Sequence, residues 1–120
     1  MNQATHMFPA EHQDKFAQLR AHFLSGLPKR ETELEDLTAT LLIQPNCSKT
    51  LENLYVATHK LAGICATYGL ASAGVQAARV EEQIEQAQNH EMSEDSLYEI
   101  LAEIELLSDE LRRVVSVPQA

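Results

Sequence analysis

Cysteine is scarce in this sequence, because only Cys47 and Cys65 occur among its 120 residues. Two thiols do not suggest the dense disulfide framework that holds many small secreted domains together. Cys65 falls on an apolar helical stripe, where a buried thiol packs as a small hydrophobic group. We therefore expect a reduced, intracellular protein.

Positive charge is also in short supply, with 9 Lys and Arg residues against 18 Asp and Glu residues. The formal net charge is -9 and the sequence pI is about 4.9. Most of such a surface repels a nucleic-acid backbone or an anionic membrane, so neither is an expected partner. The first residues have no basic region followed by an apolar run, and no stretch is long enough to span a bilayer. These features predict a cytoplasmic protein.

Several chemical motifs are missing. We find no glycine-rich phosphate loop, no nucleotide-binding signature and no Ser/His/Asp arrangement, so the chain is expected neither to bind ATP nor to act as an enzyme. Metal sites on helices usually need ligands three or four residues apart. No two of the five histidines have that spacing, and we expect neither a metal nor a cofactor; the five are His6, His12, His22, His59 and His90.

Sustained alternation of apolar and polar residues is absent, which excludes strands and predicts an all-α protein. A chain of 120 residues with 44% hydrophobic and 22% charged residues can close one core, so we expect a single domain over residues 1–120. Its core should run from about residue 10 to 115. Residues 1–8 and the tail after Val115 lack periodicity and are expected to fray.

Four helices follow from the spacing of apolar residues. The first stripe predicts one long helix kinked near Pro28, with two separate helices as the alternative. A second helix over residues 48–68 should end at Gly69, and Asn46 or Ser48 is available to cap its start. A third extends to about Asn89, and Ser93 should cap the last. The first stripe consists of Phe16, Leu19, Phe23, Leu27, Leu34, Leu37 and Leu41.

His59 is the residue that the helical periodicity singles out. It lies about 140° around the helix from the centre of the apolar cluster, which predicts an outward-facing ring. An ordinary solvated histidine is the alternative reading. Gly63 argues against it, because a glycine inside a helix costs about 1 kcal/mol relative to alanine and clears space one turn beyond the ring. The apolar cluster is Leu51, Leu54, Leu61, Ala62 and Cys65.

The run THKLAGICATYGL, with leucine two, glycine four and glycine ten residues after His59, resembles the signature of histidine phosphotransfer (HPt) domains. The stretch FLSGLPKRETELEDL is similar to the first long helix of bacterial members. The resemblance covers about residues 16–111 and implies an up-and-down antiparallel four-helix bundle. Many members of the family carry lysine immediately before the glycine that corresponds to Gly63. This chain has Ala62 at that position.

The resemblance also implies roles for individual residues. His59 would accept the phosphoryl group, Lys60 would be a cation near the phosphate, and Gly63 would admit the partner. Glu81 stands 22 residues after His59, where the family often has glutamine or glutamate that hydrogen-bonds one ring nitrogen and leaves the other nucleophilic. Its alternative is a solvated glutamate within an acidic run.

By the same resemblance, the receiver domain of a hybrid sensor kinase would phosphorylate His59, which would pass the group to a response regulator. The partner receiver would supply Mg²⁺ and the acidic pocket. Docking is expected around His59, at Val56, Lys60, Gly63 and Thr67 with Ala66 at the margin, and the chain is expected to be a monomer. The alternatives are a helical adaptor that is never phosphorylated and, less favoured, a metal-binding bundle.

Overall fold

The computed structural model describes residues 10–116, and every regular element within that range is a helix. The all-α fold class is therefore confirmed. The expectation of frayed ends concerns mainly residues 1–9 and 117–120, which lie outside the described residues. We number the helices in chain order: α1 Ala10–Ser25, α2 Leu27–Ile43, α3 Ser48–Thr67, α4 Ala71–Gln88 and α5 Glu94–Ser116.

Four of these helices pack against one another around a single core. The most extensive contact is between α3 and α4, followed by α4 with α5, while α2 packs against both α5 and α3 and closes the ring. Apolar residues at helical spacing supply the core, as the stripes predict. Its fully buried large side chains include Leu27, Leu34, Leu41, Leu54, Leu61, Val80, Ile84, Leu107 and Leu111.

The first predicted helix is interrupted rather than merely kinked. One helix ends at Ser25 and the next begins at Leu27, with Gly26 between them in a right-handed helical conformation (φ -88°, ψ -6°). Pro28 lies in the first turn of α2, where its missing N–H costs no hydrogen bond. The two-helix alternative therefore describes this region, because a proline cannot continue the hydrogen-bond ladder from the preceding turn.

Helix α1 packs on α2 and α5, and its side chains also reach Tyr68 at the C-terminal end of α3. The rings of Phe16 and Phe23 lie 5.4 and 5.5 Å from the ring of Tyr68, and Arg20 Nε donates to the Tyr68 carbonyl at 3.0 Å. The expectation that Leu19 is buried is wrong, since it is 50% exposed. The buried side of α1 is rotated toward Arg20, which leaves Leu19 at its edge.

Helix α3 ends as its sequence predicts. Gly69 adopts φ +75°, the Leu70 amide donates to the Cys65 carbonyl at 2.8 Å, and Leu70 packs back into the core. This is the Schellman arrangement, which needs a left-handed residue that glycine adopts without strain. The turn places α4 directly beside α3. Gly74 allows close contact, since a Cβ added there would lie 3.4 Å from the Cys65 Cβ.

The remaining connections are held by polar side chains. Ser93 Oγ accepts from the Ser96 amide at 3.0 Å, so the predicted cap of α5 is confirmed. Asn46 does not cap α3, and the α3 start at Cys47 has no side-chain cap bond. Instead Asn46 Oδ1 accepts from the Met92 amide at 3.0 Å, which ties the loop before α3 to the loop before α5.

Candidate functional site

His59 lies in the middle of α3 with its side chain 66% exposed. Its neighbours on the other side of the helix, Leu54, Thr58 and Leu61, are fully or almost fully buried. The outward orientation predicted from the apolar spacing is therefore present. The rigid, buried face of α3 fixes the position of the backbone from which the imidazole projects.

Glu81 reaches the imidazole from α4. Its Oε1 lies 2.8 Å from His59 Nδ1, and its side chain is only 19% exposed. A carboxylate accepts hydrogen bonds, so this contact favours the tautomer in which Nδ1 carries the proton and Nε2 has a free lone pair. The contact expected between these two residues is present, and the alternative of a fully solvated glutamate is wrong for Glu81. The following Glu82 and Glu85 are exposed.

Two residues of this site were not anticipated from the sequence. The Tyr55 ring stacks on the His59 ring, with centroids 6.0 Å apart and planes inclined by 10°. Thr58 is fully buried and its hydroxyl contacts the carbonyls of Leu54 and Tyr55 at 2.8 and 3.1 Å. Tyr55 precedes His59 by four residues, and side chains at that spacing face each other on a helix. That spacing is the signal that could have identified it.

The acidic surroundings also act on Tyr55. Desolvation raises the pKa of Tyr55, and the negative charges of Glu85 and Glu81 raise it further, together with a hydrogen-bond interaction with Glu81. The phenol therefore stays protonated at neutral pH and is available as a donor to a carboxylate. Tyr55, His59 and Glu81 form one cluster, which we call the imidazole cluster.

Lys60 and Val56 lie on the side of His59 that faces α2. Both line a groove of about 500 Å³ between α2 and α3, together with Arg30. Val56 is 42% exposed, an apolar contact surface one turn before the histidine. The groove brings Lys60 and Arg30 to the same edge of the exposed face. The other residues that line it are Glu33, Leu34, Asp36, Leu37, Asn53, Ala57 and Leu61.

Gly63, Ala66 and Thr67 are exposed along α3 beyond the imidazole. A Cβ built on Gly63 would meet no atom within 4 Å, so packing among the described residues does not require glycine at this position. The Thr67 hydroxyl donates to the Gly63 carbonyl at 2.9 Å, which leaves its methyl group at the surface. Ala62 is half-buried on the α4 side, where its carbonyl would lie 3.6 Å from a Cβ at Gly74.

The arrangement can present a neutral imidazole nitrogen to an electrophile that approaches from solvent. Among the side chains described, no group of three or more His, Cys, Asp or Glu residues is placed to hold a metal ion. None of the helices within residues 10–116 combines the length and apolar character needed to cross a bilayer. In comparisons with known proteins, no family model matches the chain, and no curated protein matches it.

Proposed function

We propose that this chain is a cytoplasmic histidine phosphotransfer protein of a two-component phosphorelay. It accepts a phosphoryl group on His59 from the aspartate of one receiver domain and passes it to the aspartate of another. The observation that carries the proposal is the pairing of an exposed imidazole with a carboxylate on its inner nitrogen, at 2.8 Å from Glu81. The sequence run around His59 supports it through its resemblance to the HPt signature.

The proposed architecture is an up-and-down antiparallel four-helix bundle, as in HPt domains. Two contacts support opposite directions for α3 and α4, since His59 meets Glu81 while Cys65 lies beside Gly74. The contact from Gln76 on α4 to Glu103 on α5 fits the same alternation. Helices joined by short loops are antiparallel in most bundles, which favours this arrangement.

The transfer step follows from the tautomer. The Nε2 lone pair attacks phosphorus, the bond between phosphorus and the aspartyl oxygen breaks, and the partner's aspartate leaves as a carboxylate. The Nδ1 proton stays on the ring, so phosphorylated His59 carries a positive imidazolium that the Glu81 carboxylate stabilises. The return step reverses these bonds toward the second aspartate. No proton has to leave the imidazole in either direction.

Phosphoryl transfer depends on in-line positioning and on neutralising the phosphoryl oxygens. The partner receiver supplies Mg²⁺ and the acidic pocket that holds its own aspartate. On this chain, Lys60 next to His59 contributes positive charge at the α2 edge. Position 62, where many family members have lysine, holds Ala62, which is half-buried on the α4 side. We therefore assign the role of the cation near the phosphate to Lys60.

The docking surface is the exposed side of α3 around the histidine. Val56 supplies apolar contact on one side, and Gly63, Ala66 and Thr67 form a low surface on the other. Small side chains there let a partner's active site approach the imidazole without a steric barrier. Exposed apolar groups beside a reactive residue favour contact with a partner over solvent. We propose that the chain docks as a monomer.

A transfer assay tests the proposal. The purified chain is incubated with a radiolabelled phospho-receiver, and the label that moves to it is tested for the acid lability of a phosphohistidine. We expect transfer to the wild type and to His90→Gln, which replaces an exposed histidine just beyond α4, and at least a 100-fold loss in His59→Gln, because His59 is the imidazole of the cluster.

The same assay separates phosphotransfer from an adaptor role. If no receiver in a broad set transfers label, and binding to a receiver persists in His59→Gln, then the chain is an adaptor that is never phosphorylated. Acid-stable label on the wild type would also contradict the proposal, because it would indicate a phosphoester on Ser, Thr or Tyr.

A further inference from the structure

Tyr55 makes the closest aromatic contact with His59. The ring centroids are 6.0 Å apart and the planes are inclined by only 10°. This is an offset parallel stack, a geometry that contributes about 0.5 to 1.5 kcal/mol beyond the area it buries. A stacked phenol on one side of the imidazole restricts rotation of a ring that is otherwise 66% exposed.

Tyr55 also faces the carboxylate that holds the histidine. Desolvation and the charges of Glu85 and Glu81 raise the pKa of its phenol, so the phenol lies near both carboxylates. Glu81 itself is bonded to the imidazole through Nδ1 at 2.8 Å. The imidazole therefore has Glu81 on one nitrogen and the Tyr55 ring on one face.

The backbone of α3 is equally restrained at this turn. The buried Thr58 hydroxyl contacts the carbonyls of Leu54 and Tyr55, at 2.8 and 3.1 Å. The two rings thus project from a turn whose position is set by the core. A rigid support is what positions reactive groups to within the tolerance that transfer requires, since about 1 Å of misplacement can cost 100-fold in rate.

We propose that Tyr55 is a positioning residue for His59. Its ring supports one face of the imidazole and keeps Nδ1 against the Glu81 carboxylate, so that Nδ1 keeps its proton and Nε2 points to the partner. Tyr55 touches neither the phosphoryl group nor the partner's aspartate. The effect of Tyr55 on phosphotransfer rests on the function proposed above. Its effect on the orientation of the imidazole does not.

The test compares Tyr55→Phe, which keeps the ring, with Tyr55→Leu, which removes the stack. Glu81→Ala is the reference in which the carboxylate is absent. Tyr98 offers a matched control, because its hydroxyl donates to Glu94 Oε1 at 3.0 Å on the distant helix α5. Tyr98→Leu removes an equivalent tyrosine and glutamate contact away from the site. Circular dichroism and thermal melts identify any variant that fails to fold. If Tyr55→Leu fails to fold, the comparison of Tyr55→Phe with the wild type still tests the proposal.

The first readout is the tautomer of neutral His59, measured from ¹⁵N chemical shifts and couplings of the full chain. We expect mainly the Nδ1–H form in the wild type and in Tyr98→Leu. In Tyr55→Leu the ratio of Nδ1–H to Nε2–H should fall by about two- to tenfold, toward that of Glu81→Ala, because the imidazole loses the stack that keeps Nδ1 against the carboxylate. Tyr55→Phe should lie between the wild type and Tyr55→Leu.

The second readout is the rate of phosphorylation by phosphoramidate, a small donor that releases ammonia and needs no docking. Tyr55→Leu should be slower than the wild type by about fivefold, with Tyr98→Leu unchanged. A tautomer ratio that stays at the wild-type value in both Tyr55 variants overturns the positioning role, whatever the rates. A wild type that takes no phosphoryl group from phosphoramidate or from receivers, with a ratio that still falls in Tyr55→Leu, overturns the proposed function and supports the positioning role.

Discussion

At the scale of single residues, His59 combines exposure with restraint. The ring stands in solvent, yet Nδ1 is held by Glu81 and one face is covered by Tyr55. Exposure could be predicted from the sequence, because the buried face of α3 repeats with the helical period. The restraint by Glu81 was expected only from the HPt resemblance and does not follow from periodicity, because Glu81 is 22 residues away on another helix and reaches the ring through the packing of α3 on α4.

Gly63 gives the sharpest prediction at this scale. A Cβ at this position meets no atom within 4 Å, and the residue is helical. We expect Gly63→Ala to raise the free energy of unfolding by about 1 kcal/mol, because alanine loses less backbone entropy in a helix. The same substitution should slow transfer from a phospho-receiver, because the methyl group stands where the partner approaches. Urea unfolding and the transfer assay measure the two effects.

Gly26→Ala is the matched control for that experiment. Gly26 has a negative φ, and a Cβ there makes only ordinary contacts, the nearest at 3.5 Å from the Phe23 carbonyl oxygen. It lies between α1 and α2, away from the imidazole cluster, so transfer should be unchanged. If Gly63→Ala transfers as fast as the wild type, this glycine does not admit the partner.

At the scale of elements, α3 is held at both ends by different means. Its C-terminus closes on Gly69 and receives Arg20 and the two phenylalanines of α1 on Tyr68. Its N-terminus has no side-chain cap bond, and the loop before it is held instead by Asn46, whose Oδ1 accepts from the Met92 amide. Because the C-terminal closure turns the chain directly into α4, it sets where Glu81 stands relative to His59.

Substitution of Gly69, which closes α3, should lower the free energy of unfolding, whereas substitution of Gly63 should raise it. Gly69 has φ +75°, a conformation that costs an L-residue about 1 to 2 kcal/mol. We expect Gly69→Ala to lower the free energy of unfolding by about that amount, measured by urea denaturation. Gly69→Asn should lose less, since asparagine tolerates the left-handed region better. An alanine variant as stable as the wild type would contradict this account of the α3 end.

At the scale of the whole molecule, four helices close one core, to which α1 adds Phe23 near its C-terminal end. The core is continuous through all four, and the pair formed by Asn46 and Met92 ties two loops at one end. Such a structure should open cooperatively, so groups deep in the core react only when the whole bundle unfolds. The two cysteines provide a direct probe of this behaviour.

Cys65 is fully buried, and desolvation raises the pKa of its thiol to about 11. Cys47 is partly exposed at the start of α3, where hydrogen bonding to Thr50 lowers the pKa of its thiol. Thiolate is the reactive form, so Cys47 should be alkylated by iodoacetamide at neutral pH faster than a free cysteine at the same pH. Cys65 should be protected by at least 100-fold until urea unfolds the chain.

Mass spectrometry of the alkylated protein distinguishes the two sites, and Cys47→Ser provides the control in which only Cys65 remains. If Cys65 is labelled at the rate of Cys47 under native conditions, the bundle opens locally around α3 instead of as a unit. The pH at which Cys47 labelling reaches its plateau should lie below that of a model thiol, in keeping with the lowered pKa.

The sequence by itself determined the features that depend on near neighbours along the chain. Helical class, the apolar stripes of α3, α4 and α5, the cap at Ser93, the left-handed Gly69 and the outward side of His59 all follow from periodicity and local backbone preference. Only the tertiary structure decided the break at Gly26, the exposure of Leu19, the pairing of Asn46 with Met92 and the position of Glu81 against His59. These depend on which helices are adjacent and how each is rotated, and that is set by packing across the core, between residues far apart in the sequence.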